Sequence, residues 1–143
     1  MSSQLPAVRH PDHPKVRKDR VRLLIFLYRK EGMSFDDFDN YWRDEHTEVI
    51  CKIPIFKRNL LKYEQIHLHK DEVESYKNGE RPVAVADYDG IAVLDAVSAE
   101  KIREMFEDKE YQETAGEDEK NFIERTKAVI FPGEIVNIFD TPT

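Results

Sequence analysis

"RLLIFLYRKEGMSFDDFDNYWRDEHTEVI", residues 22–50, changes its apolar period halfway through, and that change decides the fold. Its first part, residues 22–30, is a continuous run of Leu, Ile, Phe and Tyr closed by Arg-Lys, the pattern of a strand buried on both faces. Glu31-Gly32 breaks the run. Ser34 then offers a capping hydroxyl, and Asp36 and Asp37 put negative charge in a first helical turn, where unpaired amides favour it. From there Phe35, Phe38, Trp42, His46 and Val49 recur at spacings of three, four, four and three, one stripe of an amphipathic helix reaching about Ile50. Pro54 ends any continuation. The odd member of the stripe is His46, where Leu or Ile would pack better.

Working outward, "NLLKYEQIHLH" (59–69) reads as a second strand. Leu60, Lys62, Glu64, Ile66 and Leu68 fall on one face, and Leu61, Tyr63, Gln65, His67 and His69 on the other. "KDEVESYKNGERP" (70–82) is polar and ends in turn residues, so it reads as a loop with at most one helical turn. "DYDGIAVLDAVS" (87–98) gives a third strand, in which Gly90 permits a bulge or the close approach of a ligand. Ser98 caps a second helix, roughly 98–107, with Ile102, Met105 and Phe106 on one face. A further helical stretch at about 117–124 precedes a last strand within 128–139, interrupted at Pro132-Gly133. The order β-α-β-β-α-β is the α+β, ferredoxin-like arrangement. Four strands with helices on one face leave the other face bare. A second copy is its economical cover, which predicts a homodimer.

Composition narrows the function classes. A chain of 143 residues holds one compact domain, read here as 21–143, behind a flexible N-terminal arm at 1–20 that is disordered or draped over the body. The arm has five basic and two acidic side chains, so the remaining residues carry −10 of a whole-chain −7. That charge disfavours nucleic acid and other phosphate-rich partners. The single cysteine, Cys51, excludes an intramolecular disulfide and reads as a small buried filler at the helix end. No apolar run is long enough for a signal peptide or a membrane span, so the expected location is cytoplasmic and no membrane partner is expected.

Chemistry-bearing residues cluster on two elements. His46 follows Trp42, the sole tryptophan, by one turn, and its imidazole titrates near neutral pH. By pattern alone it is either a hydrogen-bonded histidine at a helix–sheet contact or an acid–base group. Tyr63, Gln65 and His67 stand about 6.6–6.8 Å apart on one strand face, which faces water or lines a flat aromatic ligand. His67-x-His69 can share a cation, with His46 or Asp89 as a third ligand, but the pattern is common by chance and no metal is expected. Asp89 otherwise reads as a strand-end residue. Phosphate loops, nucleophile elbows and metal-finger spacings are absent, so no cofactor is expected.

"LYRKEGMSFDDFDNYWRDEHTEVI", "KYEQIH" and "DYDGIAVLD", with the acidic "FEDKEYQETAGEDEKNFI" before the last strand, resemble in that order the segments of EthD-domain proteins. The resemblance runs over about residues 22–139, and among such proteins it is greatest to short fungal members of aromatic polyketide pathways, including decarboxylases acting on atrochrysone carboxylic acid. It implies a dimeric α+β barrel enclosing an apolar pocket and working without metal or nucleotide. The N-terminal arm and His69 depart from the family pattern. With the resemblance added, proton transfer becomes the role expected of His46, with His67 as the alternative proton donor and Tyr63 or Gln65 holding the substrate's carbonyl oxygen. Trp42, Gln65, Tyr41, His69, Asp89 and Phe106 are expected around the substrate. The expected function is that of a cofactor-free lyase, a decarboxylase or dehydratase of an aromatic polyketide. The alternatives are a cofactor-independent oxygenase of an anthrone and a non-catalytic polyketide-binding protein.

Overall fold

The computed structural model describes residues 12–81 and 83–142. Residues 1–11 of the expected arm lie outside them, whereas the rest of that segment meets the body. Val16 is buried and bridges Val136, Arg17 N–H donates to the Ile135 carbonyl at 2.8 Å, and Asn137 N–H to that of Lys15 at 3.1 Å.

The apolar run folds as β1 (Val21–Leu27), and Ser34 caps α1 by accepting from the Asp37 amide at 3.1 Å. α1 is α-helical over Phe35–Asn40, π-helical over Tyr41–His46 and α-helical again over Thr47–Cys51. Its buried residues are Phe38, Trp42, His46 and Ile50, each at most 5% exposed, so the true stripe steps by four throughout and Val49 lies beside it. A straight α-helix would drift about 40° per four-residue step. The wider π turn takes up that drift. Cys51 is exposed, not a buried filler.

Pro54 ends α1's continuation by opening α2 (Pro54–Asn59) at its first turn, where a missing N–H costs nothing. β2 (Lys62–His67) follows, then α3 (Lys70–Lys77), then β3 (Gly90–Ala96). The expected loop at 70–82 thus contains a two-turn helix, capped by His69 Nδ1, which accepts from the Glu72 amide at 3.4 Å. α4 (Ala99–Glu107) is capped by Ser98 as expected. α5 then runs through Lys109–Tyr111, a second π stretch at Gln112–Gly116 and Glu117–Glu119, beginning earlier than the sequence suggests. A 3-10 turn at Arg125–Lys127 leads into β4 (Val129–Gly133), where Pro132 is tolerated because β4 is an edge strand.

The sheet is antiparallel with order β2-β3-β1-β4, the ferredoxin-like topology. Register places Leu23, Ile25, Leu27, Tyr63, Gln65, His67, Ala92, Leu94 and Ile130 on one face. There the core forms, with Phe38, Trp42, Ile50, Phe56, Met105 and Phe122 packed over the strands. The opposite face holds Leu24, Phe26, Ile66, Ile91, Val129 and Phe131, of which Ile66, Val129 and Phe131 are about half exposed (51%, 49% and 59%). So only one of β1's two apolar faces is covered within a single chain. On the open face Asp95 is fully buried, gripped by Arg22 through Nε at 2.7 Å and Nη2 at 2.9 Å and by Arg20 at 3.3 Å. Such a buried carboxylate is tolerable only with that pairing.

Candidate active site

Between the inner sheet face and the helices lies a cavity of about 520 Å³. Ile25, Leu27, Ala92, Leu94 and Ile130 floor it, and Trp42, Ile50, Phe56, Phe106 and Tyr111 wall it. Its polar lining comes from His46, Tyr63, Gln112, Glu117, Glu119 and Arg125. The apolar surface and the few converging polar groups are those of a small-molecule site.

His46 is the best-defined of them. Its Nδ1 lies 2.8 Å from Asp118 Oδ2, and a carboxylate can only accept, so Nδ1 carries the proton. Asp118 is fixed in turn. Its Oδ1 accepts from the Tyr41 hydroxyl at 2.6 Å and from Asn121 Nδ2 at 3.1 Å. Burial works to raise the Asp118 pKa, but the bonds from Tyr41, His46 and Asn121 outweigh it and hold it below the ordinary carboxylate value. Burial lowers the His46 pKa against the pull of Asp118, leaving a neutral ring. Its Nε2, with a free lone pair, makes no hydrogen bond among the described residues, and His46 is one of the residues that line the cavity. Phe122 packs against the ring at 4.8 Å between centroids. The helix stripe therefore exchanges a packing residue for an imidazole oriented by Asp118.

Tyr63 is the second cavity group. Its hydroxyl accepts from Gln65 Nε2 at 3.1 Å, which leaves its own proton to give. Burial raises its pKa, so it stays a phenol at neutral pH. Gln65 Nε2 also reaches the Trp42 carbonyl at 3.1 Å and Thr47 Oγ1 at 3.2 Å, so the amide ties β2 to the π turn of α1.

The other expected site residues separate into two groups. Trp42, Phe106 and Tyr63 share the cavity with His46, and Tyr41 joins it through Asp118. His67, Gln65, His69 and Asp89 are not part of the cavity lining. His67 stacks on Trp42 at 4.5 Å between centroids. Its Nδ1 meets Asp39 Oδ1 and its Nε2 meets Gln65 Oε1 at 2.8 Å. Both ring nitrogens are thus occupied by protein partners, and neither is open to a ligand. His69 caps α3. Asp89 accepts from the Arg29 amide at 2.8 Å and Arg29 Nη1 at 2.7 Å, clasping the end of β1. Among the described residues no group of three or more His, Cys, Asp and Glu is placed to hold a metal ion. The close approach at Gly90 is by protein: a Cβ there would sit 2.4 Å from the Trp42 ring.

Asp118, Glu119 and Arg125 were not singled out from the sequence. The one signal for Asp118 and Glu119 is the acidic segment before the last strand; Arg125 lies just beyond it, in the 3-10 turn. Burial pushes the Glu119 pKa up to about 7, with Asp118 adding to the rise and Arg125 opposing it.

Residues 30–126 match the EthD domain family. No curated protein matches the chain. Among solved structures, a dimeric protein of unknown function with a ferredoxin-like fold from Bacteroides fragilis aligns with a TM-score of 0.56 at 9% identity, over 82% of this chain and 97% of that one. An ethyl tert-butyl ether D family protein from Bacillus halodurans aligns at 0.54 with 17% identity, over 80% and 98%. A hypothetical Arabidopsis thaliana protein aligns at 0.54 with 11% identity, over 89% and 97%. At these identities the likeness is one of fold. Among the described residues, no helix is long and apolar enough to cross a membrane.

Proposed function

The chain belongs to the EthD domain family, and from that premise we propose that it is a cofactor-free lyase of an aromatic polyketide acid, decarboxylating or dehydrating it with His46 as the acid–base group. The observation that carries this reading is the single open nitrogen of His46 at the wall of an aromatic cavity, its other nitrogen committed to Asp118.

Loss of CO₂ from a β-keto acid leaves an electron pair that must rest on a neighbouring carbonyl oxygen. The Tyr63 hydroxyl, held by Gln65, can donate to that oxygen as charge grows there. The resulting enolate is then protonated on carbon. His46 Nε2, once it has taken a proton from the acid or from water, delivers it, and Asp118 stabilises the imidazolium meanwhile. Dehydration of a β-hydroxy ketone uses the same parts: His46 removes the α-proton, Tyr63 holds the oxygen, and hydroxide leaves with a returned proton. A short fungal member of aromatic polyketide pathways is the expected kind of relative, and the homodimer expected of the family would cover the open sheet face.

Anaerobic incubation with candidate polyketide acids, read by released CO₂ and product mass, tests the proposal. Turnover without oxygen supports it. Turnover only with oxygen replaces it with the anthrone oxygenase, and tight binding without any product replaces it with a carrier.

A further inference from the structure

On the cavity wall, Arg125 is the one Lys or Arg side chain among the described residues, and it stands against a largely aromatic surface. Its guanidinium is under-used. Among the described residues its only ion-pair partner is Glu119, with Nε 3.6 Å from Oε1, beyond hydrogen-bonding range, and its Nη groups make no hydrogen bond. Its side chain is 49% exposed. The planar fork of such an arginine fits a carboxylate through two parallel N–H bonds.

Glu119 is in the opposite position. It is the more enclosed partner, with its side chain 25% exposed. Among the described residues, the charges that act on it are the Asp118 carboxylate and one cation, Arg125, and its own charge raises the pKa of the Tyr63 and Tyr111 phenols. Its carboxyl is balanced near neutrality, with a pKa of about 7 set mainly by burial. Anything that draws the guanidinium away removes the one influence favouring its charged form.

We propose that Arg125 anchors the carboxylate of an aromatic acid in this cavity, and that by turning to it Arg125 leaves Glu119 to take up a proton there. This deepens the aromatic-acid reading above and rests on it. Binding then brings in one negative charge while a second is neutralised, so the cavity never holds both anions unpaired. It also leaves the bound state with a neutral base at His46 and a neutral carboxylic acid at Glu119, the two protonation states that proton exchange with carbon needs.

The test uses the full chain and two probes of one shape, anthraquinone-2-carboxylate and the neutral 2-(hydroxymethyl)anthraquinone. Trp42, the only tryptophan, lines the cavity, so quenching of its fluorescence reads binding directly. The expected result is a preference for the carboxylate of about 10- to 100-fold, the range of a charge-assisted hydrogen-bonded pair. Arg125→Gln should erase that preference while leaving the neutral probe's affinity as it was, and Arg125→Lys should restore part of it. Calorimetry at pH 7.5 in two buffers of different ionisation enthalpy should show uptake of a large fraction of a proton on binding the carboxylate. Glu119→Gln should abolish the uptake but keep the preference. Equal affinities for the two probes, a preference that survives Arg125→Gln, or an uptake that survives Glu119→Gln overturns the inference alone. Failure of both probes to bind overturns the aromatic-acid reading as well.

Discussion

His46 shows how one buried side chain can be judged by what each of its atoms faces. Because Nδ1 is committed to Asp118 and Nε2 is not, His46→Gln should cut turnover by roughly 10²- to 10⁴-fold, the contribution of a positioned acid–base group, with little change in melting temperature. Its lowered pKa places the acid limb of the rate profile below the usual histidine value of about 6.5. Asp118→Asn removes a partner that raises that pKa, so the limb should move further down and the plateau rate should fall in a pH–rate series. Stability has the same sign for His46. The unfolded ring binds its proton first, so stability drops as pH falls from about 6.5 toward the folded value. Glu119 acts in the opposite direction. Its carboxyl is raised to about 7, so the folded state loses stability as pH rises from the ordinary glutamate value to 7. Glu119→Gln should therefore stabilise the protein at pH 8 by about 1–3 kcal/mol and have little effect near pH 4.5, as thermal melts at the two pH values would show. At this scale the sequence is legible where a residue violates its pattern. His46 and Tyr63 are conspicuous on apolar or mixed stripes. Asp118, Glu119 and Arg125 sit in a stretch dense in charge, and only the fold selects them: α5 brings Asp118 to His46 and Glu119 to the cavity, and the 3-10 turn after it brings Arg125 there.

Elements are legible to the extent that burial sets their period. β1, the caps at Ser34 and Ser98 and the alternation of β2 are all as the sequence indicates, because each has a strong local cause. α3 leaves no apolar stripe in the sequence because it buries nothing. It is held by its His69 cap, by Asp71 and Glu72 in the first turn and by Lys77 in the last, signals that an apolar stripe does not report. Gly90 marks a close approach, and its neighbour is the Trp42 ring. That contact gives an element-scale test. Trp42→Ala should cost about 3–5 kcal/mol as a large core ring is lost. Gly90→Ala should cost about 1–3 kcal/mol by overpacking. In the Trp42→Ala background most of the Gly90→Ala cost should vanish, so urea melts of the four proteins should show strong coupling between the two sites.

At the scale of the molecule, the open sheet face is the feature that a single chain leaves unresolved. Leu24, Phe26, Ile66, Ile91, Val129 and Phe131 form one apolar surface at the centre of an otherwise acidic protein. The topology was readable from element order. The extent of this face was not, because it depends on which way each strand turns its alternate residues. Light scattering at micromolar concentration should give about twice the 16.9 kDa chain mass, consistent with an interface well above ~1,000 Å². Phe131→Glu, which puts a charge on that face at an edge strand, should return the chain mass alone while circular dichroism still reports the fold.

The π turn of α1 also has a reading in terms of ancestry. Removing one residue from an apolar spacing of four, four and four gives four, three and four, the ordinary repeat of an α-helix. The turn thus has the form of a one-residue insertion, absorbed as a local widening so that neither flank had to rotate. Its product is a wider loop of backbone at Trp42, whose carbonyl accepts from Gln65 and Thr47. Relatives without the insertion would carry a one-position gap among Arg43, Asp44 and Glu45, all exposed. Excising Asp44 would restore the ordinary repeat: a chain with the same buried stripe, in which the hydrogen bond from Gln65 to the Trp42 carbonyl is the contact that goes missing.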